Sequence, residues 1–167
     1  MTVVDLSTSE LLILLLKLVA SYLFALPLGW ERRIRSMSHI GFRVLPLISV
    51  SSCAYVYLGQ QLFPGADSNE QADMLQGLMT GIGFVGAGAI MKRPGRSSGV
   101  ATAAAIWTTG GIGASIAYGY FVLAGGLSLL SLFILAISPI FLLRRIRIRR
   151  PLHRRGAGAE SESEEGE

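Results

Sequence analysis

The residues best able to do chemistry stand inside or at the edges of long apolar runs. Lys17 lies about a third of the way into the first run, and Glu31 with Arg32 ends it in the stretch LGWERR. Ionisable groups at membrane depth are costly and mark functional positions by default. Glu31 is the only carboxylate on its side of the chain before the C-terminal tail, and it sits among Arg32, Arg33 and Arg35, with Arg43 across the next loop. An ion pair or network is expected there. It either ties the first two runs to the basic loop or forms part of a site. For Lys17 the expectation is a long stem that carries its ammonium to the outer interface.

A second stretch, GLMTGIGFVGAGAIMKRPG (Gly77–Gly95), contains Gly81, Gly83 and Gly86 at G-x-G-x-x-G spacing. In a soluble α/β protein that spacing cradles a dinucleotide pyrophosphate. It needs a preceding strand, a following helix and an acidic residue about 20 positions on. Here the glycines lie within one apolar segment, and Trp107 stands where the acid is required. No nucleotide or nucleic acid is expected. Cys53 is the only cysteine, which suits a small apolar filler, and His39 and His153 fall in basic segments without metal-ligand spacing. The residues suggest no catalytic constellation, metal site or cofactor. Rings of oxygen ligands for a cation pore are likewise missing from the runs, unless an oligomer assembles one from Glu31 or from backbone carbonyls.

The elements that position these residues follow from composition. Hydrophobic residues make up 51% of the chain and charged residues 16%, well below the usual charged share of about 25%. Five segments reach the roughly 17–25 residues needed to cross a bilayer: Leu11–Trp30, Val44–Phe63, Met74–Met91, Val100–Ala117 and Phe121–Leu143. The expected fold is therefore all-α, a polytopic bundle of five transmembrane helices over residues 1–143. Residues 144–167 form a basic and then acidic tail, expected to lack fixed structure and to lie with its arginines at the inner leaflet. Apart from Lys17, every Lys and Arg falls on one side of this topology, while Asp5, Glu10, Asp67, Glu70 and Asp73 fall on the other. The positive-inside rule then puts the N-terminus outside and the C-terminus in the cytoplasm.

On a helix advancing 100° per residue, Gly77, Gly81 and Gly88 lie within about 40° of one another, with Gly83 and Gly86 opposite. The third span is thus small on two faces and is expected to be central in the bundle. The fourth answers with Ala101, Ala105, Thr109 and Gly113 at every fourth position, a pattern that lets helices approach closely. The alternative is that the glycines unwind the helix and open its backbone onto a polar cavity near Glu31 and Arg43. Thr80, Thr102, Thr108 and Thr109 could bond across the bundle or back to their own helices. Trp30 is expected at the interface and Trp107 packed inside.

Taken in order, LGWERR, GFR, GIGFVGAGAI and GVATAAAIWTTGGIG resemble the blocks of the MgtC/SapB family of bacterial inner-membrane proteins, over roughly Ala25–Tyr120. The resemblance implies a five-helix, multi-pass domain of the bacterial inner membrane and no enzymatic activity. It also implies a regulator linked to magnesium limitation, stress and intracellular survival, acting on other membrane proteins, among them the ATP synthase. The hallmark positions it carries over are Gly29, Glu31 and Arg32; Gly41 and Arg43; Gly81, Gly83, Phe84, Gly86, Ala87 and Gly88; and Gly99, Thr102, Ala103, Ala104 and Trp107. Val44 replaces the family's usual Thr, only Thr102 of two threonines is kept, and the short tail points to the SapB-like branch without a soluble C-terminal domain. The competing expectation is a small, oligomeric transporter or ion pathway through the glycine-rich third span and Glu31.

Overall fold

The computed structural model describes residues 7–36, 40–65, 67–93 and 96–148. The chain is helical: α1 (Thr8–Ser36), α2 (Ile40–Leu62), α3 (Ser68–Gly88), α4 (Val100–Ala117) and α5 (Phe121–Ile148). Among the described residues, three of these are long and apolar enough to cross a membrane, over Thr8–Ile34, Gly41–Leu62 and Val100–Ala117. In α5 the described residues include a further apolar helical stretch, Phe121–Ile137. The first turns of α3 carry Asn69, Glu70, Gln71 and Asp73 and lower its apolar content.

The helix boundaries have local causes. The third helix starts six residues before the expected Met74, because Asp67 caps it. The Asp67 carboxylate accepts from the backbone N–H groups of Asn69 (2.8 Å) and Glu70 (2.9 Å), and Glu70 accepts in return from the Asp67 N–H (3.0 Å). This reciprocal box satisfies amides that a helix start leaves without partners. The helix also ends before the expected Met91. Met91–Arg93 (β1) pairs antiparallel with Arg96–Ser98 (β2), so the basic connection from α3 to α4 is a short hairpin. Gly99 follows it at φ +89°, a left-handed conformation that glycine adopts without a Cβ penalty. A Cβ there would also collide with the Ala89 carbonyl.

The described chain divides into two units, Met1–Leu135 and Ala136–Glu167. The second contains the end of α5, which continues past Leu143 to Ile148, so the start of the expected tail is helical. Residues 149–167, and with them the expected acidic end, lie outside the described residues. In the first unit α2 is the hub, packed against α1 and α4. The core gathers Leu28, Leu45, Cys53, Val56, Ile106, Ile112 and Ile116, all almost fully buried. Cys53 is the apolar filler its sequence setting suggests. The leucines Leu11, Leu12, Leu15, Leu16 and Leu23 stay exposed along α1, as a lipid-facing helix surface requires.

The third helix is not central. It packs on α4 and only loosely on α2. A Cβ added at Gly77, Gly81, Gly83 or Gly88 would meet nothing within 4 Å, whereas at Gly86 it would lie 3.4 Å from the Ala103 carbonyl oxygen. Only one of the five glycines therefore seats α3 against its neighbour. The four-residue stripe of α4 also turns elsewhere than expected: a Cβ at Gly113 would collide with the Ser49 carbonyl of α2. The α4 glycine that receives α3 is Gly110, which takes the tip of Ile82.

Candidate functional site

Two helix ends come together around the Glu31–Arg32 pair. Successive residues on a helix point about 100° apart, so the Arg32 side chain bends back to its neighbour. Its Nε and Nη2 donate to the two carboxylate oxygens of Glu31 at 2.5 and 2.8 Å. Both residues are buried, at 6% and 7% exposure. A paired, bidentate geometry is what allows two charges to leave water at all.

The neighbouring glycines explain how the pair is covered. A Cβ on Gly41 would lie 2.7 Å from the Arg32 Cβ, and one on Gly29 would lie 3.1 Å from the Gly41 carbonyl oxygen. The start of α2 therefore sits directly on the end of α1, with no side chain between them. The blocks LGWERR and GFR, separate in sequence, form one clasp. A second clasp joins the other two blocks, through Gly86 against Ala103 and Gly99 against Ala89. Contacts at the opposite end, Lys17 to Ala117 and Gly59 to Met74, show that the helices alternate in direction. Both clasps consequently lie at the same end of the bundle, the end carrying the basic connections.

Arg43 is exposed one turn beyond the start of α2, and with Arg33 it lines a cleft between α1 and α2. Trp30 packs edge-on against Phe42 at 6.2 Å and is 59% exposed. Phe84 is exposed on α3, at 82%, and Thr102 is half-buried on α4. Trp107 is 56% exposed, so the expectation that it packs inside is corrected. The helix interior at that level is filled by Ala105, Ile106 and Thr109, leaving the indole outward. Thr80, Thr108 and Thr109 each donate to a carbonyl of their own helix, Gln76, Ala104 and Ala105 respectively.

Lys17 reaches the last residue of α4. Its ammonium donates to the Ala117 carbonyl at 2.7 Å and lies 5.5 Å from the centre of the Tyr57 ring. The last carbonyls of a helix lack partners and carry its negative end, so Lys17 caps α4 from across the bundle. The Lys17 ammonium and the Ala117 carbonyl are separated by 100 positions, which no local pattern in the sequence could announce.

The third helix runs as continuous α-helix from Ser68 to Gly88, so the expected break onto a cavity near Glu31 and Arg43 is not found. Gly77 and Gly81 instead border an apolar groove of about 700 Å3 between α2 and α3. Among the described residues, no group of three or more His, Cys, Asp or Glu side chains is arranged to hold a metal ion.

Comparison with known proteins agrees with the clasped blocks. Residues 18–142 match the MgtC family. SrpB of Synechococcus elongatus is 33% identical over 132 residues, covering 71% of each chain. MgtC of Salmonella typhimurium is 30% identical over 107 residues, covering 64% of this chain and 44% of its own length. YhiD of Escherichia coli, described as a candidate magnesium transporter, is 28% identical over 128 residues, covering 74% of this chain and 59% of its own. This chain thus spans only about half the length of the last two relatives. No solved structure matches. With a matching segment that embraces both clasps, three of the five helices in full and most of the other two, the chain belongs to the MgtC family.

Proposed function

We propose that this chain is a non-enzymatic regulator of the bacterial inner membrane that acts by binding other membrane proteins, in the service of adaptation to magnesium limitation or stress. In this reading five helices cross the membrane, the N-terminus is outside, and the clasped basic end faces the cytoplasm. The magnesium link rests on family membership and on the description attached to the E. coli relative.

The observation that carries the reading is the free face of α3. Gly77, Gly81 and Gly88 are exposed with open space where a Cβ would stand, and Phe84 projects beside them. A glycine surface at membrane depth lets a second helix approach closely and gain van der Waals contact. Among the described residues nothing comes within 4 Å of those positions, so the face is available to a helix from another protein. The ATP synthase is one such partner implied by resemblance.

A photo-crosslinking side chain at Phe84, expressed in native membranes, tests this. A defined partner band is expected, lost on Gly81→Leu while the purified variant keeps its helicity and melting temperature. Crosslinks confined to lipid and to other copies of the chain would overturn the proposal. So would magnesium flux in reconstituted vesicles that exceeds empty vesicles and is abolished by Glu31→Gln, the behaviour of an ion pathway.

A further inference from the structure

Arg33 on α1 and Arg43 on α2 open onto one cleft of about 570 Å3, whose remaining lining is Tyr22, Phe42, Pro46, Leu47 and Val50. The two guanidinium groups are exposed. The Arg33 guanidinium carbon lies 5.6 Å from the centre of the Phe42 ring, a cation–π placement that restricts where its charge can point. Neither arginine forms an ion pair among the described residues. Glu31, the carboxylate nearest in sequence, is paired with Arg32.

The rest of the cleft is apolar and runs into the membrane. Tyr22 lies 11 positions before Arg33, about 16 Å along α1 at the usual rise per residue, and Val50 lies about 10 Å beyond Arg43 along α2. Both stretches fall within candidate spans. Tyr22 and Leu47 expose 43% and 64% of their surface. A charged mouth at the end of two membrane-length helices, continued by an open apolar wall, matches the shape of a molecule with an anionic head and an acyl tail. Guanidinium groups suit phosphate because their planar N–H forks meet its oxygens in pairs, and basic pockets between membrane helices take acidic headgroups.

We propose that the α1–α2 cleft binds an anionic membrane phospholipid, with Arg33 and Arg43 on its phosphate and Tyr22, Leu47 and Val50 along its acyl chains. This reading stands apart from the partner-binding face of α3, which it does not involve, so either can fail alone.

The test uses the purified full chain in nanodiscs, with phosphatidylglycerol titrated into phosphatidylcholine and bound lipid read by native mass spectrometry. The expected result is selective retention of phosphatidylglycerol, weakened roughly thirtyfold in Arg33→Gln/Arg43→Gln, the ratio expected when two basic residues stop facing an anionic headgroup. Both side chains are exposed, and circular dichroism checks that the variant remains folded. The control is Arg93→Gln/Arg96→Gln, which removes the same charge from the hairpin. Equal weakening in the control, or no weakening in the cleft variant, would overturn the proposal. Displacement of the lipid by soluble glycerol phosphate at comparable concentration would also overturn it, since the ligand would then be a free phosphate.

Discussion

The two glycine-rich regions of this protein use the same residue in opposite ways. At the α1–α2 clasp, Gly29 and Gly41 are buried and let backbones touch over a paired charge. On α3, Gly77, Gly81 and Gly88 are exposed, and among the described residues a Cβ added at any of them would meet nothing within 4 Å. Glycine spacing therefore does not distinguish a helix packed inside its own bundle from one prepared to pack elsewhere. The difference lies in what stands opposite. α1 ends on a buried pair that must be covered, and covering it requires the start of α2 to come within a Cβ's reach. The free face of α3 carries no such obligation.

That contrast can be broken by substitution, beginning where the effect is greatest. Glu31→Leu leaves Arg32 buried with its carboxylate gone and should lower stability by about 3–5 kcal/mol, read as a lost or strongly reduced thermal transition in detergent. Replacing both residues together, as Glu31→Leu/Arg32→Met, should recover most of that loss, because an apolar pair carries no uncompensated charge. A variant pair in which the double change is as damaging as the single one would show that the clasp depends on the charges themselves.

Gly113→Ala and Gly41→Ala come next. Each places a methyl against a neighbour that cannot easily yield, the Ser49 carbonyl in one case and the Arg32 Cβ in the other. Overpacking of this kind costs about 1–3 kcal/mol, and the melting temperature should fall accordingly. Lys17→Met removes the cap on α4 and should cost about 1.5–3 kcal/mol, the usual range for bonds to charged groups. It should also speed hydrogen exchange at the end of α4 more than at its start. Smallest of all is Gly81→Ala. With open space around it, the change should be neutral or stabilise α3 by up to about 0.5–1 kcal/mol through helix preference. A large loss of stability at Gly81 would mean that its face is covered after all, and the comparison would collapse.

Much of this was legible before any coordinates. The all-helical fold follows from long apolar segments, because only a helix of that length satisfies its own backbone in lipid. The family blocks were readable as words, and Glu31 announced a pair because it stood alone among arginines. The start of α3 is also encoded in the D-x-x-E spacing of Asp67 and Glu70, a capping signal that lies before the apolar run and therefore outside a boundary drawn from apolar length. Other features had no local signal. The bond from Lys17 to Ala117 joins residues 100 positions apart, and the outward turn of Trp107 depends on which residues fill the interior beside it.

The sequence by itself determined that the chain forms membrane-length helices, that its positive charge gathers in three segments, and that Glu31 and Arg32 stand together at a helix end. Those properties depend on hydropathy, charge and near neighbours, which a linear string records. The tertiary structure alone decided which small faces are used. It turned Gly113 to α2, gave Gly86 and Gly110 the α3–α4 contact, and left Gly77, Gly81 and Gly88 open. The physical reason is that close packing is a relation between two surfaces. A glycine removes its own side chain, but the element brought opposite determines whether the space left behind is filled.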